Sequence, residues 1–247
     1  MINIGCCGFV RKLQDYMKEF NCVEVQQTFY KIPKPQTLKN WANLANQTTN
    51  KFEFYIKANQ MITHPASSPT YKKLNIKIEN KENYGYFKPT KEVQKAFELT
   101  KEAAKILSCR IIIFQMPASF KPIKENLDNL RTFFEKEKRN HIKYGLELRG
   151  KSWKIDLIKS ICKDYDLIDV VDPFQRAPCI IPNDKILYFR LHGSPPGNKM
   201  YNYKYTDKDL EYLANLIKNY LSCNIYILFN NIYMYEDAKR LKELLLV

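Results

Sequence analysis

Glycine is scarce in this chain, seven in 247 residues, and proline is modest at twelve. That shortage argues against flexible linkers and low-complexity tracts. Long apolar runs are missing too; none approaches the roughly 18–20 residues of a membrane span. Histidine occurs only three times, too few for a multi-histidine zinc cluster, and no H-E-x-x-H spacing is present. There is no C-x-x-C pair, and the cysteine count of seven is odd, so neither a disulfide framework nor a thiol-metal site is expected. No strand-like segment leads into G-x-G-x-x-G or G-x-x-x-x-G-K-[ST], which removes the common nucleotide-binding signatures. The opening stretch MINIGCCGFV lacks the basic-then-apolar layout of a secretory signal. These absences lead to the expectation of a soluble, cytoplasmic protein with no membrane partner.

What is present is a full core. Hydrophobic residues make up 45% of the chain and aromatic residues 13%, a composition that folds rather than staying disordered. Forty basic residues face 26 acidic ones, for a net charge of +14. Such an excess suits an anionic or phosphorylated ligand, or nucleic acid. It equally suits lysines on solvated helix faces, as in KEVQKAFELTKEAAK and EKEKRNHIK, and only eight of the forty are arginines.

Eight short strand-like segments recur: 3–9, 22–26, 52–58, 110–116, 143–148, 167–172, 186–192 and 225–231. Helix-like stretches near 10–20, 35–46, 91–107, 123–139, 153–164, 207–221 and 234–246 lie between them. Strands alternating with helices predict a parallel sheet. Eight repeats in about 250 residues predict its closure into a TIM-type (β/α)₈ barrel over residues 1–247, with an open doubly wound sheet as the alternative. Two connections depart from the repeat. Residues 59–90 form a long loop after strand three, and 173–185 (PFQRAPCIIPNDK) form a degenerate connection after strand six.

Barrel strands are covered outside and filled inside, so polar residues belong at the C-terminal mouth, where such folds place their active sites. YFRLHGSPPG (188–197) shows the pattern. Tyr188, Arg190 and His192 share one face of the strand, and Leu187, Phe189 and Leu191 the other. The other strand ends supply Glu24 and Gln26, Lys57, Gln115, Glu147 and Arg149, Asp172, and Asn230 with Asn231. His64, in ITHP, either lines the mouth or caps its loop, while His141 lies in a lysine-rich connection. Glu24 with Lys57, or Glu147 with Arg149, could also be simple ion pairs. Glu24, Glu147 and Asp172 would further suit a single Mg²⁺ or Mn²⁺, and whether a cofactor is needed is left open. The aromatic-basic loop NKMYNYKYTD (198–207), which holds Tyr205, either stacks bases or simply packs.

IGCCGF, VEVQQTFYKIP with TLKNWA, FEFYIKANQMITH, IIIFQMPASF, LELRGKSW, VVDP, YFRLHG and LFNN follow one another in the order seen in the YecE-like proteins, domain of unknown function family 72. The chain resembles that family from residue 4 to about 245. The resemblance implies a TIM barrel with site positions at Glu24, Thr28, Phe29, Tyr30, Lys57, Thr63, His64, Gln115, Glu147, Arg149, Trp153, Asp172, Arg190, His192, Gly193, Asn230 and Asn231. It departs from the family pattern at Cys6, Cys7 and Phe9, where Thr, Ser and Trp are usual, and at Gln26-Gln27, where Asn-Ser is usual.

Three functions follow as expectations. The first is an enzyme on a phosphate-containing substrate, including phosphodiester hydrolysis of nucleic acid. There Arg149, Arg190 and Lys57 would bind phosphate, Glu24 or Glu147 would act as base, and His192, tuned by a carboxylate such as Asp172, would be the acid. The second is a metal-independent lyase or isomerase on a small carbonyl or sugar-like molecule, with Lys57 forming a Schiff base. The third is a non-catalytic nucleic-acid-binding module carried by surface lysines.

Overall fold

The structure, a computed structural model, describes residues 1–48, 51–74, 78–136, 141–193 and 200–246. Its sheet strands are β1 (Ile2–Cys7), β2 (Cys22–Val25), β3 (Glu53–Lys57), β4 (Ile111–Gln115), β5 (Lys143–Glu147), β6 (Leu167–Asp169), β7 (Ile186–Leu191) and β8 (Asn224–Phe229). All are parallel, in the order β6-β5-β4-β3-β2-β1-β8-β7. The ring is completed by a single parallel bridge between Val171 and Phe189, just beyond the short β6. There the Arg190 N–H donates to the Val171 carbonyl at 2.9 Å.

Period-two alternation sorts the side chains. One set, including Cys22, Tyr55, Ile111, Ile113, Ile168, Val170, Tyr188, Tyr226 and Leu228, packs as its own cluster and fills the barrel. The opposite set, including Ile4, Val23, Ile56, Phe114, Leu146, Phe189 and Ile227, joins the core beneath the helices. Where the interior narrows, β5 carries Gly145. A Cβ there would lie 2.7 Å from Ile113 Cδ1 and Val170 Cγ2, so only glycine fits without displacing a neighbour.

The longer helices are α1 (Leu13–Glu19), α3 (Pro35–Asn46), α5 (Lys91–Ile106), α6 (Lys124–Glu135), α7 (Ile155–Asp164), α8 (Asp207–Lys218) and α9 (Met234–Leu245), matching the seven helical patterns in the sequence. In α5, Val93, Ala96, Phe97, Thr100, Ala103 and Ala104 are buried, an i, i+3, i+4 stripe facing the sheet. Thr90 caps that helix by accepting from the Val93 N–H, and Thr206 with Asp209 closes a capping box on α8. Phe87, Phe97, Phe114, Phe133 and Phe134 interlock behind β4 with centroid spacings of 4.8–5.9 Å. Each fully buried ring contributes about 1.5–3 kcal/mol.

Two one-turn helices fall where the sequence showed none, α2 (Gln27–Tyr30) after β2 and α4 (Gln60–Thr63) after β3. Both bend the chain at the mouth, and both are too short to carry a periodic signal. After α4 the chain runs through 3₁₀ turns at Pro69–Lys73 and Lys81–Asn83, and its return is tied down by Gly85 N–H to the Met61 carbonyl and Phe87 N–H to the Ile62 carbonyl. Between β6 and β7, Arg176 grips the buried Asp169 with both terminal nitrogens, at 2.5 and 2.6 Å. No described helix is long and apolar enough to cross a membrane.

Candidate active site at the barrel mouth

Arg190 occupies the centre of the mouth with no solvent exposure. It projects inward from β7, on the same side as Tyr188. Its Nε and Nη2 donate to the two oxygens of Glu24 at 3.0 and 2.9 Å, and Nη1 donates to Glu147 at 2.5 Å and Gln115 at 2.7 Å. Glu24 also accepts from the Tyr188 hydroxyl at 2.9 Å and from the Gln26 amide. Burial disfavours the Arg190 charge, but Glu24 and Glu147 outweigh it and hold the guanidinium firmly protonated. Removing one member of such a buried set strands its partners and costs about 3–5 kcal/mol.

A second layer sits above. Arg149, two residues past β5, donates from Nε to Glu147 at 2.6 Å and from Nη1 to the Tyr201 hydroxyl at 3.0 Å. Its side chain keeps 20% exposure, against 6% or less for Glu24, Glu147 and Arg190. Burial would raise the Glu147 carboxyl, yet Arg149 and Arg190 together hold it well below the usual range. His192 Nε2 lies 3.0 Å from Glu147 Oε1, and Nδ1 lies 3.1 Å from the Asn230 amide nitrogen. A carboxylate only accepts, so Nε2 carries the proton and Nδ1 accepts from Asn230. Both ring nitrogens are therefore occupied, and burial lowers the imidazole to about 4 despite Glu147. The carboxylate partner of the ring is Glu147, not Asp172 as expected. Asp172 instead accepts the backbone N–H groups of His192 and Phe174, each at 3.0 Å, and burial raises it to about 6.

Lys57, at the end of β3, is the exception to this pairing. It is buried at 6% exposure, and its ammonium sits 3.8 Å from the centre of the Phe29 ring. Among the described residues no carboxylate forms an ion pair with it, and the expected Glu24–Lys57 pair is replaced by Glu24–Arg190. Burial, with help from the neighbouring Arg190, lowers Lys57 from 10.5 to about 7. His64 packs edge-on against the same Phe29 ring at 4.9 Å, and its Nδ1 lies 2.8 Å from the Thr63 hydroxyl. Burial and nearby Lys57 lower this imidazole to about 3. α2 carries Phe29 and is anchored by Thr28, whose hydroxyl meets the Val25 and Lys57 carbonyls, both at 2.7 Å.

Glu24, Gln115, Glu147, Arg149, Arg190, His192 and Asn230 thus form one continuous hydrogen-bonded network, with Lys57 and His64 beside it over Phe29. Trp153, Tyr205 and Asn231 lie outside that network. The Trp153 indole donates to the Phe120 carbonyl at 2.9 Å, the Tyr205 hydroxyl accepts from Gly193 N–H at 2.8 Å, and Asn231 donates to Asp237 at 2.7 Å. Gly193 takes φ +61°, which lets the chain turn there. His141 is exposed. Residues 194–199, which include most of the Gly-Ser-Pro-Pro-Gly turn, lie outside the described residues. Sequence reasoning passed over two partners, Tyr188 and Tyr201. The first was legible from its parity with Arg190; the second contacts Arg149 only through a loop of unpredictable path. Cys7 lies 3.8 Å from Arg190 Nη2, and burial keeps its thiol far above its usual value, which does not suit a nucleophile. Among the described residues no trio of histidine, cysteine or carboxylate side chains is arranged to hold a metal ion.

Residues 8–246 match the family model described as protein of unknown function DUF72. The chain belongs to the DUF72 family. Among curated DUF72 relatives, the UPF0759 protein YunF of Bacillus subtilis (strain 168) is 26% identical over 247 residues, covering 90% of this chain and 80% of YunF. The UPF0759 protein YecE of Escherichia coli (strain K12) is 38% identical over 58 residues, which is 24% of this chain and only 20% of YecE. A crystal structure of a DUF72 protein from Enterococcus faecalis V583 superposes with a TM-score of 0.71 at 18% identity, covering 100% of this chain and 96% of that one. Beyond the family, a D-psicose 3-epimerase solved in the presence of D-fructose superposes with a TM-score of 0.58 at 10% identity, covering 98% and 97% of the two chains. At such identity the likeness is one of fold, and it is the TIM barrel.

Proposed function

We propose that this DUF72 protein is an enzyme of the lyase or isomerase type that acts on a small carbonyl compound through the amine of Lys57. One observation carries the reading: Lys57 is buried against Phe29 with no carboxylate partner among the described residues, while the neighbouring carboxylates Glu24 and Glu147 are committed to arginines. A lysine desolvated beside a second cation loses its proton readily and becomes a nucleophile. Lys57 Nζ adds to the substrate carbonyl carbon, a C–N bond forms, and the carbonyl oxygen leaves as water. The resulting protonated imine draws electrons from the adjacent carbon. That weakens a C–H bond for isomerisation or a C–C bond for cleavage.

His64 is the group placed to carry the proton. It is neutral at physiological pH and shares Phe29 with Lys57, and its Nε2 makes no hydrogen bond among the described residues. In this reading Glu24, Arg190, Gln115 and Tyr188 are the frame that fixes the local charge, and His192, held at both nitrogens, orients Glu147. The phosphate-binding reading is less well supported, because every nitrogen of Arg190 that would meet phosphate already donates to a carboxylate.

Incubation with a panel of aldehydes and ketones under cyanoborohydride, followed by peptide mass mapping, tests this. The expected result is a stable secondary amine on Lys57, absent in Lys57→Met. Modification spread evenly over surface lysines, with none favoured at Lys57, would overturn it.

A further inference from the structure

The mouth contains two arginines with unlike surroundings. Arg190 has all of its nitrogens on carboxylates and no exposure. Among the described residues Arg149 meets one carboxylate, Glu147, through Nε. Its terminal nitrogens meet neutral groups: Nη1 the Tyr201 hydroxyl at 3.0 Å and the Met200 sulfur at 3.9 Å, Nη2 the Gln115 oxygen at 3.3 Å and the His192 ring at 3.0 and 3.4 Å. With the Nε2 proton directed at Glu147, His192 can accept from Arg149 only through Nδ1, at 3.4 Å and already shared with Asn230. A thioether sulfur and a phenol are weak acceptors for a guanidinium, which pairs best with two oxygens of an anion. Arg149 is also the arginine of the cluster that reaches solvent, with 20% of its side chain exposed.

Charge counting points the same way. Arg149 and Arg190 are balanced by Glu24 and Glu147. Asp172 is held apart by backbone N–H groups. A protonated imine on Lys57 adds a buried positive charge that none of these three carboxylates is paired with, since Glu24 and Glu147 are on arginines and Asp172 is turned onto backbone N–H groups. Such a charge is costly unless paired. A carboxylate brought in by the substrate supplies the missing counter-ion and at the same time fills the open side of Arg149.

We infer that the substrate is a small oxo acid, its carboxylate received by Arg149 and its carbonyl carbon by Lys57. This rests on the Lys57 reading above and goes beyond it by naming the substrate class. Arg149 has a binding role and takes no part in bond making.

The test compares three carbonyl probes under cyanoborohydride: pyruvate, hydroxyacetone and dihydroxyacetone phosphate. Pyruvate should label Lys57 faster than hydroxyacetone, with a mass gain equal to the acid less one oxygen atom. The rate ratio of pyruvate to hydroxyacetone should fall about tenfold to a hundredfold in Arg149→Gln, the cost of losing a charged hydrogen-bonded pair. Taking the ratio within each variant removes any general loss of folding or of amine reactivity. A ratio unchanged by Arg149→Gln overturns the oxo-acid assignment and leaves the Lys57 reading standing. Faster labelling by dihydroxyacetone phosphate than by pyruvate also overturns it, since the anchored anion is then a phosphate. No Lys57 adduct with any probe overturns both.

Discussion

Lys57 shows at the residue scale how one side chain changes character with its surroundings. The same ammonium on a helix surface would be a solvated charge. At the end of β3 it lies over Phe29 beside two arginines, and burial brings it down to about 7. This has a consequence for stability. Between about 7 and 10.5 the unfolded chain holds the Lys57 proton and the folded chain does not, so stability rises with pH across that window. Below about 7 both states are protonated and the burial cost is borne in full. Denaturant unfolding of wild type and Lys57→Met from pH 6 to 10 should show the difference between the two curves closing the wild-type deficit as pH rises. A pH-independent difference would contradict the lowered value. Lysine and arginine at the mouth could be read from the sequence as polar strand ends. Which carboxylate paired with which cation could not, because Glu24 is 166 positions from Arg190 in the chain.

At the scale of the element, strand parity did most of the positioning. The inward residues near the mouth on β4 and β5 were readable from alternation: Ile113 and Gln115 on one strand, and Gly145 with Glu147 on the next, where Gln115 and Glu147 pair in register. Gly145 is the tightest point of that layer. Gly145→Ala places a methyl 2.7 Å from Ile113 and Val170, and overpacking of this kind costs about 1–3 kcal/mol. Thermal or denaturant unfolding checks it; a variant as stable as wild type would mean the layer is looser than its spacing. The same substitution should disturb the orientation of Glu147 and slow Lys57 labelling. Less legible were the one-turn helices α2 and α4. Four residues carry no amphipathic period, and these turns form because Thr28 and Asn59 cap backbone groups across the mouth, Thr28 on the Lys57 carbonyl and Asn59 on the Thr28 carbonyl at 3.0 Å.

For the whole molecule the net charge of +14 and the internal balance of the mouth are separate facts. The excess charge resides mainly in lysines, and the exposed ones attract any polyanion without selecting it. Any affinity for DNA that these lysines confer should drop roughly tenfold for each pair of phosphates neutralised when salt is raised about fourfold. Lys57 labelling by hydroxyacetone should stay level over the same range, because buried charges are little screened. Gel-shift and labelling titrations run in parallel make the comparison. DNA binding lost in Lys57→Met, or labelling that falls with salt as steeply as DNA binding, would tie the surface charge to the site.

Length, the eightfold alternation of strand and helix patterns and the polar residues at strand ends determined a parallel α/β sheet, favoured its closure into a barrel and named the residues at its strand ends. These are local properties, set by hydrophobic period and chain spacing, and they survive in a linear reading. The tertiary structure alone decided that Arg190 is locked between Glu24 and Glu147, that both nitrogens of His192 are occupied, and that Lys57 pairs with no carboxylate among the described residues. Those outcomes depend on which side chains meet across the closed ring, and on how burial weights each charge against its neighbours. Neither is written in the order of residues along the chain.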